Sequence, residues 1–237
     1  MGLVVLENVI EICNVTKRFG GVIALNNVSL TVKKGEIIGV IGPNGSGKTT
    51  LFNCISGVYK LDGGSIRLEG KEIHKLRPYQ IAKWVGRTFQ IPQPFKSLTV
   101  LENVMVATKG DRKRALECLD IVGLKGYANV LFKNLNFSQL RLLELARALA
   151  LMPKVLLIDE IAAGLNPKEA VDIVKTIKSI QSEYNIAIMW VEHVMRVIMR
   201  VADKIVVLNR GMKIAEGSPT EVANNEEVIE VYLGKNL

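Results

Sequence analysis

Gly42-Pro43-Asn44-Gly45-Ser46-Gly47-Lys48-Thr49 is the stretch on which the fold turns. It fits G-x-x-x-x-G-K-[ST]. Residues 36–41 before it form an apolar run behind Lys33-Lys34-Gly35, the pattern of a buried strand. Residues 49–57 after it put Leu51, Phe52 and Ile55 on one side at helical spacing. Strand, glycine turn and helix in that order let a backbone close around an anion. The glycines bring N–H groups up to phosphate oxygens with no Cβ in the way. The helix start aims the positive end of its dipole at the same place. Lys48 adds a point charge for the outer phosphates, and the Thr49 hydroxyl can ligate Mg²⁺.

A second acidic element belongs beside that turn. Val155-Leu156-Leu157-Ile158 reads as a strand buried on both faces and runs into Asp159-Glu160. A desolvated carboxylate needs a partner, so two acids at the end of a core strand call for a reason. Next to bound phosphates, Asp159 can hold the Mg²⁺ shell and Glu160 can orient or deprotonate the attacking water. No Asn-Lys-x-Asp motif follows, which argues against a guanine-nucleotide enzyme.

Further strands are expected at residues 9–14, 28–32, 65–68, near 72–73, 85–89, 186–191 and 204–208. Helices are expected at 98–107, 112–122 and 139–151. Another opens at Asn166-Pro167-Lys168-Glu169, with Asn at the cap, Pro first and Glu three residues after the cap. Val171, Val174, Ile177 and Ile180 supply its apolar stripe. Strands alternating with helices, interrupted by an all-helical block, predict a parallel α/β core with a helical insertion.

The chain has 237 residues, 49% hydrophobic and 23% charged, which excludes disordered and fibrous classes. Aromatics at 5% leave little material for stacking bases. No stretch approaches the ~20 apolar residues of a membrane span. The start, Met-Gly-Leu-Val-Val-Leu-Glu, lacks the basic leader of a secretory signal. Cys13, Cys54 and Cys118 have no metal-ligand spacing and read as ordinary buried, reduced thiols. The net charge is +8, and residues 51–150 hold the excess, with 16 Lys and Arg against 8 Asp and Glu. By itself this fits a solvated face, a nucleic-acid footprint or an anionic membrane contact.

Taken together, these motifs resemble the ABC transporter ATPases over nearly the whole chain. The resemblance implies an α/β P-loop NTPase of ABC type. It would have a mixed sheet core, an N-terminal antiparallel β part and a helical subdomain at about residues 90–151, all in one domain of residues 1–237. The family binds ATP with Mg²⁺, and residues 42–50 (Gly42 to Thr50) form its phosphate cradle. Phe19 in Thr-Lys-Arg-Phe-Gly-Gly matches the aromatic that stacks on adenine. Gln90 in Arg-Thr-Phe-Gln matches the residue that reaches Mg²⁺ and water and joins core to helical part. Asn166 sits where the family's chain crosses a dimer interface, and His193 in Trp-Val-Glu-His matches the switch histidine on the γ-phosphate. Lys48, Glu160 and His193 are thus implied as catalytic, with Thr49, Gln90 and Asp159 around the metal. Residues 41–53, 87–106, 162–167, 207–217 and 228–234 look most like the ATPases of branched-chain amino-acid importers.

One segment departs from the family. Leu135-Asn136-Phe137-Ser138-Gln139 stands where the signature Leu-Ser-Gly-Gly-Gln is usual. There the signature clasps the γ-phosphate held by the other subunit, so Asn136, Ser138 and Gln139 would serve a partner's ATP. Asn136 can still donate through its amide, whereas Ser138 adds a Cβ where backbone should approach phosphate. Ile161 replaces the Pro usual after the acid pair. The resemblance implies a cassette at the cytoplasmic face of the cell membrane. Its partners would be a second cassette (copy or paralogue), permease subunits and, indirectly, a solute-binding protein, with no nucleic acid. The basic middle third then fits docking beside an anionic leaflet. Two alternatives stand beside this: a soluble ABC ATPase acting on nucleic acid or ribosomes, and a weakly hydrolysing regulatory cassette.

Overall fold

The structure, a computed structural model, describes residues 7–233. The expectation about a secretory leader falls mostly on residues 1–6, outside that range, as does Gly234 of the C-terminal resemblance. The chain runs β1 (Asn8–Phe19), β2 (Val22–Lys33), β3 (Ile37–Ile41), α1 (Lys48–Ile55), β4 (Gly63–Leu68), β5 (Lys71–Glu72), α2 (Pro78–Ile81) and β6 (Val85–Arg87). Then come α3 (Val100–Ala107), α4 (Arg112–Ile121), α5 (Phe137–Leu149), β7 (Val155–Asp159), α6 (Pro167–Tyr184), β8 (Ala187–Val191), α7 (Met195–Val201), β9 (Lys204–Asn209), β10 (Met212–Gly217), α8 (Pro219–Ala223) and α9 (Glu226–Leu233). Two single-turn 3₁₀ helices, Lys125–Tyr127 and Phe132–Asn134, join α4 to α5.

Two sheets result. One is antiparallel, in the order β2-β1-β4-β5; the other has the order β10-β9-β3-β8-β7-β6. In the second, β9, β3, β8, β7 and β6 are mutually parallel and β10 is an antiparallel edge. Strands β3, β7 and β8 are buried along their whole length, as continuous apolar runs require. Alternate side chains point to opposite faces. Ile38, Val40, Val155 and Leu157 therefore pack with α1 and the antiparallel sheet, while Ile37, Ile41, Leu156 and Ile158 pack with α5, α6 and α7.

Local signals set the helix starts. Thr99 with Glu102, Asn136 with Gln139, Asn166 with Glu169 and Ser218 with Glu221 each form a reciprocal capping box. Helix α1 is different: Gly47 sits at its cap, no side chain caps it, and its first turn has no acid.

Several expectations are corrected. β1 and β2 are each 12 residues long, because they pair as one hairpin past the apolar stretches that flagged them. β6 ends at Arg87, two residues early. Helix α5 begins at Phe137, since Asn136 caps it. On α6 the buried stripe is Ala170, Ile173, Ile177 and Ile180, whereas Val171 is exposed. Helical rotation places position 170 under 173 and 177, and moves 171 a third of a turn away. Cys13 is exposed because β1 alternates and position 13 faces outward; Cys54 and Cys118 are buried. Burial pushes the Cys54 thiol up to about 11.

Candidate functional site

The parallel order puts four strand ends side by side. β3 leads into residues 42–49, β7 into Asp159-Glu160, β8 into Glu192-His193, and β6 into Thr88 and Gln90. The carboxyl ends of such strands are where open α/β sheets bind ligands.

At the phosphate loop, Lys48 is buried and its Nζ donates to Gly42 O at 2.8 Å and Pro43 O at 2.9 Å. Burial pulls its ammonium below the usual lysine range, and Glu160 and Asp159 oppose that. Two glycines are required by space as well as by angle. Gly42 has φ +149°, and a Cβ there would lie 2.0 Å from Leu208 O; at Gly47 (φ +107°) it would lie 2.6 Å from Ala24 O. A cleft of about 340 Å³ opens over the loop, lined by residues 44–50 with Ala24, Gln90, Glu160 and His193. The start of α1, with no side-chain cap and no acid in its first turn, opens into this cleft.

Glu160 is held from three sides. Its N–H donates to Val191 O at 2.9 Å, Gln90 Nε2 donates to its Oε2 at 2.7 Å, and His193 Nε2 lies 2.6 Å from its Oε1. Its φ of +49° is the left-handed region, which turns the chain out of β7 and the carboxylate toward the cleft. Asp159 is buried, and its N–H donates to Thr88 Oγ1 at 3.1 Å. Burial raises its carboxyl above the usual range, and the Arg87 guanidinium, 3.3 Å away, works against that rise.

No group of three His, Cys, Asp or Glu able to hold a metal ion occurs among the described residues. At these strand ends stand one hydroxyl (Thr49), two carboxylates (Asp159 and Glu160) and one amide (Gln90). That set fits Mg²⁺, which takes one or two carboxylates and completes its shell from substrate phosphates and water.

Other expected residues lie apart from this cleft. Phe19 is outside its lining; the residue is 43% exposed, and its ring meets that of Tyr59 edge-on at 5.1 Å, with Lys17 Nζ 5.3 Å from its centre. Asn136, Ser138 and Gln139 open α5 and satisfy one another. Asn136 Oδ1 accepts from Gln139 N and Ser138 Oγ, both at 2.9 Å, and Gln139 Oε1 accepts from Asn136 N at 3.0 Å. Asn166 Oδ1 caps α6, accepting from Lys168 N and Glu169 N at 3.0 Å.

The chain matches the ABC transporter family over residues 25–163. It belongs to that family. A second match, to the branched-chain amino acid ATP-binding cassette transporters, covers residues 212–236. The high-affinity branched-chain amino acid transport ATP-binding protein BraF of Pseudomonas aeruginosa is 40% identical, across 96% of this chain and 98% of its own. The LivG protein of Escherichia coli, of the same description, is 39% identical, across 92% and 94%. Among solved structures, a nucleotide-free ATP-binding cassette from an ABC transporter superposes with a TM-score of 0.90 at 31% identity, covering 97% of this chain and all of that one. The dimeric cassette MJ0796 bound to ADP and Pi gives 0.79 at 30% identity, over 89% and 98%. This ABC cassette is thus an ATP-hydrolysing unit of P-loop fold, as its motifs implied.

Sequence reasoning passed over three groups of the cassette's residues. Arg141, Glu144 and Arg147 on α5 grip the segment after β6. Arg141 donates to Phe89 O at 3.2 Å and Gln90 O at 2.6 Å, Arg147 donates to Gln93 O at 2.9 Å, and Glu144 accepts from Gln93 N at 3.2 Å. Phe137 also belongs there: its ring lies under the Arg141 guanidinium at 4.8 Å and against Gly164 in the turn between β7 and α6. The signature segment, the Gln90 segment and that turn therefore form one packed unit.

The third is Glu192, buried at the end of β8. It accepts from Ala162 N at 3.2 Å, His193 N at 3.0 Å and Val194 N at 3.2 Å. It ties the turn after Glu160 to the histidine segment. An acid directly after a buried strand was its signal, the same one that exposed Asp159. Glu192→Ala orphans these donors and is expected to destabilise the cassette by about 2–3 kcal/mol, measured by urea unfolding. Burial raises the Glu192 carboxyl above its usual value despite the three donors. Its contribution is therefore fully present below the unfolded carboxyl value and is lost as pH rises through the folded one. Glu192→Gln is expected to flatten that part of the stability–pH curve.

Proposed function

We propose that this cassette energises uptake of branched-chain amino acids from the cytoplasmic face of the membrane, as one of two ATPase subunits bound to permeases. What carries the reading is the double match: about 40% identity to BraF and LivG along almost the whole chain, plus the branched-chain match over residues 212–236. No helix of the described residues is long and apolar enough to cross a membrane. Exposed Phe89, Ile91 and Phe95, beside the segment gripped by α5, offer permeases an apolar contact next to Gln90.

In this reading residues 42–50 cradle the phosphates of ATP and Lys48 pairs with the outer ones. Phe19, with Tyr59 beside it, takes the adenine. Thr49, Gln90 and Asp159 hold Mg²⁺, which when bound neutralises charge developing on the phosphates. Glu160 accepts a proton from the attacking water, and His193 orients Glu160 and contacts the γ-phosphate. Asn136, Ser138 and Gln139 face the nucleotide of the partner cassette, and Asn166 lies at the dimer seam.

The two sites of such a dimer would be unequal if the partner keeps an intact signature. Asn136 Oδ1 already occupies the start of α5, on the N–H of Gln139, where a phosphate oxygen would otherwise sit. The fast site is then the one on this chain's own phosphate loop.

The solute is tested by reconstituting the cassette with its permeases, second cassette and binding protein in liposomes. ATP hydrolysis is expected to rise when leucine, isoleucine or valine loads the binding protein. Stimulation by another solute class alone rejects the amino-acid reading and leaves the ATPase reading intact.

A further inference from the structure

Arg87 has no part in the mechanism above, yet it is among the most constrained side chains near the site. It ends β6 with 8% of its side chain exposed. Its guanidinium lies between two rings, 5.9 Å from the centre of Phe52 and 5.1 Å from that of Phe89. Nη1 donates to Asn53 Oδ1 at 2.6 Å and Ser56 Oγ at 3.0 Å, while Nη2 donates to Asp159 Oδ2 at 3.3 Å. Nε is buried without a partner.

A brace between β6 and α1 needs no charge. Apolar residues of similar volume hold such a gap as well as a buried ion pair does, or better. The guanidinium instead joins two groups that must be in register for a divalent cation. Asn53 and Ser56 belong to the helix α1 that contains Thr49, or lie at its end; Asp159 is the carboxylate facing it. Arg87 engages Oδ2 of the Asp159 carboxylate, and no hydrogen bond among the described residues engages Oδ1, which is left for a cation.

We infer that Arg87 is a positioning residue for the magnesium site, setting the Asp159 carboxylate against Thr49 through α1. This rests on the magnesium reading above. Outer partners of metal ligands typically contribute 10–100-fold to metal affinity, and that sets the expected size here.

The test uses the full chain in a Glu160→Gln background, so that bound ATP stays intact. Mn²⁺ binding to the ATP-loaded protein is read by electron paramagnetic resonance, and ATP affinity is read separately in EDTA. Arg87→Met is expected to weaken Mn²⁺ about 10–100-fold and to leave the metal-free ATP affinity unchanged, with Arg87→Lys between the two. Unchanged or tighter Mn²⁺ binding overturns the inference. So does a parallel loss of ATP affinity in EDTA, which would make Arg87 a support of α1 and no more. Should Arg87→Met fail to fold, Asn53→Ala with Ser56→Ala frees Nη1 while keeping the charge; weaker Mn²⁺ binding then supports the assignment and unaltered binding rejects it. If the parent protein takes up ATP but no Mn²⁺, the magnesium reading itself falls, a distinct outcome.

Discussion

Glu160→Gln is expected to slow ATP turnover by about 10²–10⁴-fold, the span of a lost general base, while nucleotide binding persists. The substitution preserves volume and an acceptor oxygen, so the bond from Gln90 Nε2, 2.7 Å in the parent, can survive. What disappears is the capacity to take a proton. No other carboxylate replaces it: Asp159 is engaged by Arg87, and Glu192 is turned away onto three backbone N–H groups. His193 loses its anionic partner at 2.6 Å. In a heterodimer whose partner has an intact signature, nearly all activity should go with this one change, because the opposite site closes on Asn136 and Ser138. The check is single-turnover phosphate release in the assembled complex together with equilibrium ATP binding. A variant complex hydrolysing at more than about a tenth of the parent rate is incompatible with a Glu160 base and with the asymmetry.

Much of this architecture was legible from the chain because its signals are local. Ile37–Ile41 must be a central strand, since five consecutive buried positions leave no polar face. Residues 42–49 must turn where they do, since Gly42 and Gly47 hold angles and spaces that side chains do not fit. Asn166-Pro167-Lys168-Glu169 declares a helix start through its own hydrogen bonds. What escaped the sequence depends on distance. Arg87 reads as an ordinary surface cation until β6 pairs with β7 and sets it beside Asp159. Arg141 and Glu144 fall among helical polar residues, and only the fold lays residues 89–93 across them. Val171 went to the wrong face for the opposite reason, because spacing by three alone does not fix which side of α6 meets the sheet.

That packing also gives the expected coupling a physical route. Gln90 presents its side chain to Glu160 in the core and its carbonyl to Arg141 on α5. A shift of α5 relative to the core strains one bond or the other. In the proposed function, this shared residue is the route by which the state of the cleft and the pose of the helical part would bias each other. This reciprocity is what the word coupling requires.

The largest change in binding is expected at Lys48. Lys48→Met should weaken ATP by about 30- to 5,000-fold, since truncating one side of a buried charge pair costs about 2–5 kcal/mol. Its effect on the free protein should be small by comparison. Burial holds the ammonium below its ordinary range, so at neutral pH the charged form carries a desolvation cost that Met removes. Against this, Gly42 O and Pro43 O lose their donor. The two effects oppose, and the unfolding midpoint should move little. The pH dependence separates them. A lysine lowered in the folded state loses its proton earlier there than in the unfolded chain, so the parent gains stability from it as pH climbs toward 10.5. The Met variant lacks that alkaline rise. Thermal unfolding with and without ATP reads all of this at once, because ligand stabilisation scales as RT ln(1 + [ATP]/Kd). An ATP-induced shift as large as the parent's in Lys48→Met would mean that the turn at residues 42–49 does not hold the outer phosphates.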